Sequence, residues 1–168
     1  FSLLALGTTA QIQRPKLVVG LVVDQMRWDY LYYYYNQYRT DGLQRLVDQG
    51  FSFENTLINY VPAVTAVGHS CIYTGSVPAF TGIVSNNFYL HDKWIYCCDD
   101  PSVKTVGSDT DEGKMSPRNL LASGLGDMLK MATDCKAKVI GISIKNRAAI
   151  LPAGHSGDAA YWWDTAAG

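Results

Sequence analysis

Charge is scarce in this 168-residue chain: 17% of residues are Asp, Glu, Lys or Arg, and the formal net charge is −1. So weak a field leaves no electrostatic footprint for nucleic acid or for an anionic membrane surface. Long apolar runs are missing too. None reaches the roughly 20 residues that a membrane-spanning helix needs. The four cysteines (Cys71, Cys97, Cys98 and Cys135) form no C-x-x-C pair, which argues against a zinc ribbon or a thioredoxin-like site. In an oxidising compartment they allow several complete pairings. The adjacent Cys97 and Cys98 would bond to each other only with strain, which favours partners elsewhere. There is no internal repeat, low-complexity tract or linker, so the chain reads as one domain or part of one.

What is present is apolar. Hydrophobic residues make up 48% of the chain, including eleven tyrosines and four tryptophans, enough for a globular core. The aromatic excess also fits a sugar-stacking surface, but a thick core is the simpler reading. The first ten residues, FSLLALGTTA, join a short apolar run to small residues. They read as the remnant of a secretory signal peptide with a cut after Ala10, although the positively charged start is missing. An ordinary N-terminal strand is the structural alternative.

Further on, KLVVGLVVD (residues 16–24) is an almost unbroken β-branched run ending in Asp24, as expected of a strand buried on both faces. WDYLYYYYNQYR and DGLQRLVDQG read as helix, the second closed by Gly50. FSFENTLINY (51–60) alternates like a second strand, and a hairpin is expected around Trp94. SPRNLLASGLGDMLKMA predicts a helix capped by Ser116 with Pro117 at its first position. Leu121, Leu125, Met128, Leu129 and Ala132 would form its apolar stripe. KAKVIGISI (136–144) is another buried strand, ending in Lys145, Asn146 and Arg147. Strands alternating with helices predict an α/β fold: a mostly parallel sheet flanked by helices. The polar loop from Cys98 to Lys114 contains DTDEG, but its glycine falls one place early for a calcium loop. Leu120 also stands where the closing glutamate belongs, so that reading is rejected.

Open parallel sheets bind ligands at the carboxyl ends of their strands. Asp24 lies at one such end, and Lys145 and Arg147 at another. A carboxylate suits a hard or borderline cation, and Lys-x-Arg suits phosphoryl or sulfuryl oxygens. A solvated loop position would explain each residue taken singly. In INYVPAVTAVGHSCIYTG (58–75), GHSCI lacks the second glycine of a Gly-x-Ser-x-Gly elbow, and Ser70 falls inside the helix. Thr65 is better placed, at or next to a helix N-terminus that favours an anion. Threonine is also a favoured helix cap and needs no further role there. If its hydroxyl attacks, a metal ion stabilises the alkoxide without a general base, and Asp24 is the first ligand on offer. His69, one turn on, fits core, cap support or a contact behind the site.

Three ordered segments carry a resemblance: VVDQMRWDYL, NYVPAVTAVGHSCIYTGSVPAFTGIVSNNFY and SIKNRAAILPAGHSGDAAYWWD. Together they resemble the PafA-type alkaline phosphatases, within the alkaline phosphatase superfamily, from Lys16 onward. The resemblance implies a periplasmic, zinc-dependent phosphomonoesterase with two zinc ions. It implies that Asp24 binds one zinc, and that Thr65 is the nucleophile, touches zinc and is transiently phosphorylated. Asn86 would hydrogen-bond a phosphoryl oxygen, with Asn87 the neighbouring alternative. Lys145 and Arg147 would hold the remaining oxygens. Two cations suit the dianion of a monoester, whereas related nucleotide pyrophosphatases lack the pair. ILPAGH belongs to the same resemblance, and His155 reads there as a turn residue, while Cys71 reads as core behind the nucleophile helix.

Members of that family are far longer and draw their remaining zinc ligands from the part that follows. Residues 11–168 are therefore expected to be the N-terminal part of the catalytic domain, an incomplete site awaiting the rest of the same polypeptide. Two other readings stand beside the phosphomonoesterase: a phosphodiesterase or nucleotide pyrophosphatase of the same superfamily, and a noncatalytic secreted binding module for carbohydrate. A member with decayed catalysis is disfavoured, because Asp24, Thr65, Asn86, Lys145 and Arg147 are all present in order. Assayed alone with p-nitrophenyl phosphate and added zinc, the 168-residue chain is expected to show no Thr65-dependent turnover. Robust turnover abolished by Thr65→Ala would refute the incomplete-site reading.

Overall fold

The computed structural model describes residues 15–167, so the expected signal remnant at residues 1–10 lies outside the described residues. The described residues form six α-helices and four strands. They are α1 (Tyr30–Tyr33), α2 (Leu43–Gln49), α3 (Thr65–Thr74), α4 (Pro78–Thr81), β1 (Asn87–Leu90), β2 (Lys93–Tyr96), α5 (Leu125–Ala132), β3 (Ile140–Ile142), α6 (Asn146–Ala153) and β4 (Ala159–Tyr161). Strands β1 and β2 form the expected hairpin around Trp94, pairing antiparallel from Asn87↔Tyr96 to Leu90↔Lys93. His91 and Asp92 make its turn, both with positive φ, as a two-residue hairpin requires. Strands β3 and β4 pair in parallel, with α6 as the crossover between them. Gly141 makes this crossover tight: a Cβ there would lie 2.0 Å from the Ala149 carbonyl oxygen on α6.

The core gathers where α3, α6 and the hairpin meet. Ala66, Ile83, Phe88, Cys97, Cys98, Leu120, Ile150 and Leu151 form one buried cluster. Fully burying a side chain such as Ile83 or Leu151 is worth about 1.5–3 kcal/mol, so this cluster fixes the end of the molecule on which α3 starts. All four cysteines are free thiols, with Cys97 and Cys98 buried side by side. No helix among the described residues is long and apolar enough to cross a membrane.

Several local expectations are corrected. Residues 16–24 run without regular strand structure, and Leu17, Val19 and Leu21 are exposed rather than buried on both faces. The residues have strand composition, but a strand needs a ladder partner, and none among the described residues pairs with them. Residues 51–60 likewise carry no strand. The helix expected from Ser116 starts only at Leu125, because Ser116 is used elsewhere: its hydroxyl donates to Asp100 Oδ2 at 2.6 Å. Leu121 N donates to Thr81 O at 2.8 Å, which pulls that stretch onto α4 instead. The apolar stripe on α5 is also reversed. Leu125, Met128 and Leu129 face outward, and Gly126, Asp127 and Lys130 are buried. Leu125 and Leu129 border a cleft of about 200 Å³ that separates α5 and β3 from Val18 and Gly20.

Asp127 explains why α5 begins where it does. Its Oδ2 accepts from Gly124 N at 2.8 Å, and its Oδ1 accepts from Ser156 N at 2.7 Å. One buried carboxylate therefore starts a helix and ties down the turn after α6. Gly154, at φ 72, lets that turn pass the carboxylate; a Cβ would lie 2.6 Å from Oδ2. Replacing Asp127 with Ala leaves two amide donors without their acceptor, and a loss of about 2–4 kcal/mol is expected in urea unfolding. A change below about 0.5 kcal/mol, the range of ordinary surface substitutions, would show that this carboxylate does not organise the turn.

Candidate active site

The N-terminus of α3 gathers the polar residues of interest. Thr65 is the first residue of that helix, and Val64 is its extended N-cap. Thr65 does not act as the cap, because its hydroxyl donates to Asp24 Oδ2 at 2.8 Å, across 41 positions of sequence. The capping is done in trans by Asn86, whose Oδ1 accepts from Ala66 N at 3.0 Å. That bond assigns the amide orientation, with Nδ2 as the remaining side-chain donor of Asn86. Asn87 is an exposed β1 residue, so Asn86, the expected member of the pair, is the one at Thr65.

Asp24 sits where the extended segment ends, and Gln25 at φ 61 turns the chain sharply just after it. Lys145, the N-cap residue of α6, brings its Nζ to 3.5 Å from Asp24 Oδ2. Partial burial works to raise the Asp24 carboxyl, but the Thr65 hydroxyl and the Lys145 and His69 charges outweigh it. The carboxyl is held below its ordinary value as a result. Behind Thr65, the ring of buried His69 donates from Nδ1 to Thr65 O at 2.8 Å, so His69 supports the helix start and does not reach the hydroxyl. Ser70 is fully buried with its hydroxyl on Val67 O, which bears out its rejection as nucleophile. Cys71 is buried core, as expected.

Arg147 is the second residue of α6 and shares a groove of about 330 Å³ with Lys145, Tyr96, Met115 and Trp163. Its Nη1 donates to the Tyr96 hydroxyl at 2.9 Å. Burial pushes the Tyr96 phenol well up, and the Arg147 hydrogen bond pulls it only part of the way back, so this hydroxyl is a neutral donor. The structure thus joins Asp24, Thr65, Asn86 and Lys145 through direct contacts around one helix end. Arg147 joins them through the start of α6. His155 stands apart, donating from Nε2 to Leu120 O at 2.8 Å in the turn after α6. Sequence reasoning missed Tyr96, Asn146 and Glu112, which hold Arg147 in place. Their partners lie tens of residues away, and no spacing pattern announces them.

The oxygen donors of Asp24 and Thr65 suit a borderline cation such as zinc. Zinc ordinarily takes about three or four protein ligands, and no group of three or more His, Cys, Asp or Glu able to hold a metal occurs among the described residues. Asp24 and Thr65 could therefore supply two oxygen ligands to a divalent cation, fewer than a complete site needs.

A hydroxyl at a helix N-terminus, a carboxylate on that hydroxyl and a lysine at the neighbouring helix start thus meet at one place on an α/β scaffold. The chain belongs to the type I phosphodiesterase / nucleotide pyrophosphatase family, whose model matches residues 18–165. It is similar to the alkaline phosphatase PhoV of Synechococcus elongatus, with 57% identity over 94% of this chain and 29% of that protein. A protein from Myroides odoratus named a calcium-transporting ATPase is 56% identical over 95% of this chain and 30% of its own length. The alkaline phosphatase PafA of Elizabethkingia meningoseptica is 50% identical, again over 95% and 30%. The wild-type crystal structure of PafA superposes with a TM-score of 0.88, covering 91% of this chain and 30% of that one. This match establishes the alkaline-phosphatase-like α/β fold. A PafA variant that superposes equally well, at 48% identity, carries serine for one threonine and alanine for one asparagine, one lysine and one arginine. The chain spans about 30% of the length of these relatives.

The Lys145 contact has a measurable consequence. In metal-free protein, Lys145→Ala is expected to move the Asp24 carboxyl titration upward, toward its ordinary value of 3.8, as read by carbon NMR. The sign follows from linkage. A depressed carboxyl contributes stability above its ordinary value and loses it as the pH falls, so the variant loses part of that contribution. An unmoved titration would remove the ion pair from the account.

Proposed function

We propose that these residues belong to a zinc-dependent phosphomonoesterase that acts outside the cytoplasm, with Thr65 as the group that attacks phosphorus. The observation that carries this reading is the Thr65 hydroxyl, 2.8 Å from Asp24 Oδ2 at the first turn of α3. There the helix amides and the Nδ2 donor of Asn86 favour a phosphoryl oxygen. In the reaction, Thr65 Oγ1 loses its proton and forms a bond to phosphorus while the bond to the leaving oxygen breaks, and a proton ends on that oxygen to give the alcohol. A threonine phosphate results, which water then hydrolyses. Asp24 orients the threonine hydroxyl before attack. Lys145, already beside that carboxylate, and Arg147, along the same helix start, balance the charge of the transferring group. Zinc, when bound, supplies Lewis-acid stabilisation of the attacking and leaving oxygens, and Asp24 and Thr65 are the residues here that would hold it.

The set substituted in the PafA variant supports these assignments. Its threonine, asparagine, lysine and arginine occur in the same chain order as Thr65, Asn86, Lys145 and Arg147. The intervals from threonine to asparagine and from lysine to arginine also agree. Export is proposed from the apolar N-terminus. The remaining zinc ligands are proposed to come from the part of the relatives' length that these residues do not span.

The second reading, a phosphodiesterase or nucleotide pyrophosphatase, is favoured by the family to which the chain belongs. The Lys145 and Arg147 pair separates the two, because a second cation is most valuable against a dianion. In the whole protein, Lys145→Ala and Arg147→Ala are each expected to lower monoester kcat/KM by about 10²–10³, with a much smaller effect on a diester. Removing zinc with a chelator is expected to abolish both activities. Equal losses on monoester and diester would favour the phosphodiesterase.

A further inference from the structure

The direction of the Arg147 guanidinium is set by a neighbouring element and not by its own helix alone. Tyr96, the last residue of β2, accepts a hydrogen bond from Arg147 Nη1 at 2.9 Å, and its ring centroid lies 5.9 Å from the guanidinium carbon. The Tyr96 hydroxyl donates in turn to Asn146 Oδ1, the same oxygen that accepts from the Arg147 backbone N–H. Asn146 Nδ2 donates to Glu112 Oε2 at 2.8 Å. Each hydrogen bond along the chain Glu112–Asn146–Tyr96–Arg147 therefore has one direction, and the chain ends on the cation. Arg147 Nε is buried and has no hydrogen-bond partner among the described residues.

We infer that Tyr96 is a positioning residue for phosphoryl transfer, holding one Nη of Arg147 so that the rest of the guanidinium is presented to a phosphoryl oxygen. The inference rests on the phosphomonoester reading above. An unrestrained arginine spends much of its time in other rotamers, and a guanidinium ordered beforehand needs no reorganisation as charge develops. The hydroxyl is the operative atom. The ring itself packs against the buried cluster and serves the fold.

The test is Tyr96→Phe in the whole protein, which keeps the ring and removes the hydroxyl. kcat/KM for p-nitrophenyl phosphate is expected to fall about tenfold, while that for bis(p-nitrophenyl) phosphate stays within about twofold. In an Arg147→Ala background the same change is expected to add nothing, because the hydroxyl acts through Arg147. Equal losses on both substrates, or losses that add to those of Arg147→Ala, overturn the positioning role. An Arg147→Ala variant with an unchanged monoester-to-diester ratio instead overturns the phosphomonoester reading, and this role with it. Wild-type protein offers a second readout that needs no variant to fold. A held guanidinium gives resolved Arg147 Nη proton signals at low temperature, and one averaged signal overturns the inference.

Discussion

Everything of chemical interest here depends on one hydrogen bond, from the Thr65 hydroxyl to Asp24 Oδ2. It joins the end of an extended segment to the first turn of α3 and so defines a point where three separate pieces of chain converge. Threonine at a helix start ordinarily turns its oxygen back onto the helix amides. Here Asn86 takes over that capping duty from β1's side and leaves the threonine hydroxyl to donate to Asp24. That hydroxyl, the helix end and the carboxylate then share one small region. Lys145 adds the countercharge that keeps Asp24 ionised and acceptor-only.

The packing behind this point explains how so small a piece of structure keeps it in place. α3 and α6 pack against each other through Ala66, Ile150 and Leu151, so the two helix N-termini that carry Thr65 and Lys145 are fixed relative to one another. The β1–β2 hairpin closes the same cluster with Phe88, Cys97 and Cys98, and delivers Tyr96 to the start of α6. Asp127 does comparable work at the far end of α6, where one carboxylate serves two backbone amides. In each case a single polar side chain satisfies the free end of a helix or turn. That is how short elements such as the 8-residue α5 and α6 hold their position.

The contrast between this packed region and residues 16–60 is equally physical. Leu17, Val19, Leu21, Phe51, Phe53 and Leu57 are all exposed, though their types are those of a buried sheet. Ile142 and Ile144 on and after β3 are exposed as well. Apolar surface on this scale adjoins a chain that spans about 30% of its relatives' length.

Much of the site was legible in the sequence, because the chemistry sits in short runs with fixed identities. Asp24 after a β-branched run, Thr65 before a helix and Lys145 with Arg147 after another apolar run could each be singled out from local pattern. The hairpin at Trp94, the helix closed by Gly50 and the rejection of Ser70 followed from turn, cap and spacing rules in the same way. Local pattern could not decide which competing partner each polar group would take. Ser116 had the credentials of a helix cap and went instead to Asp100; residues 16–24 had those of a strand and formed none. Only the tertiary structure brought Asp24 onto Thr65, Asn86 onto Ala66 and Tyr96 onto Arg147. Those pairings span 41, 20 and 51 positions, and contacts that distant are chosen by packing, of which a local stretch of sequence carries no record.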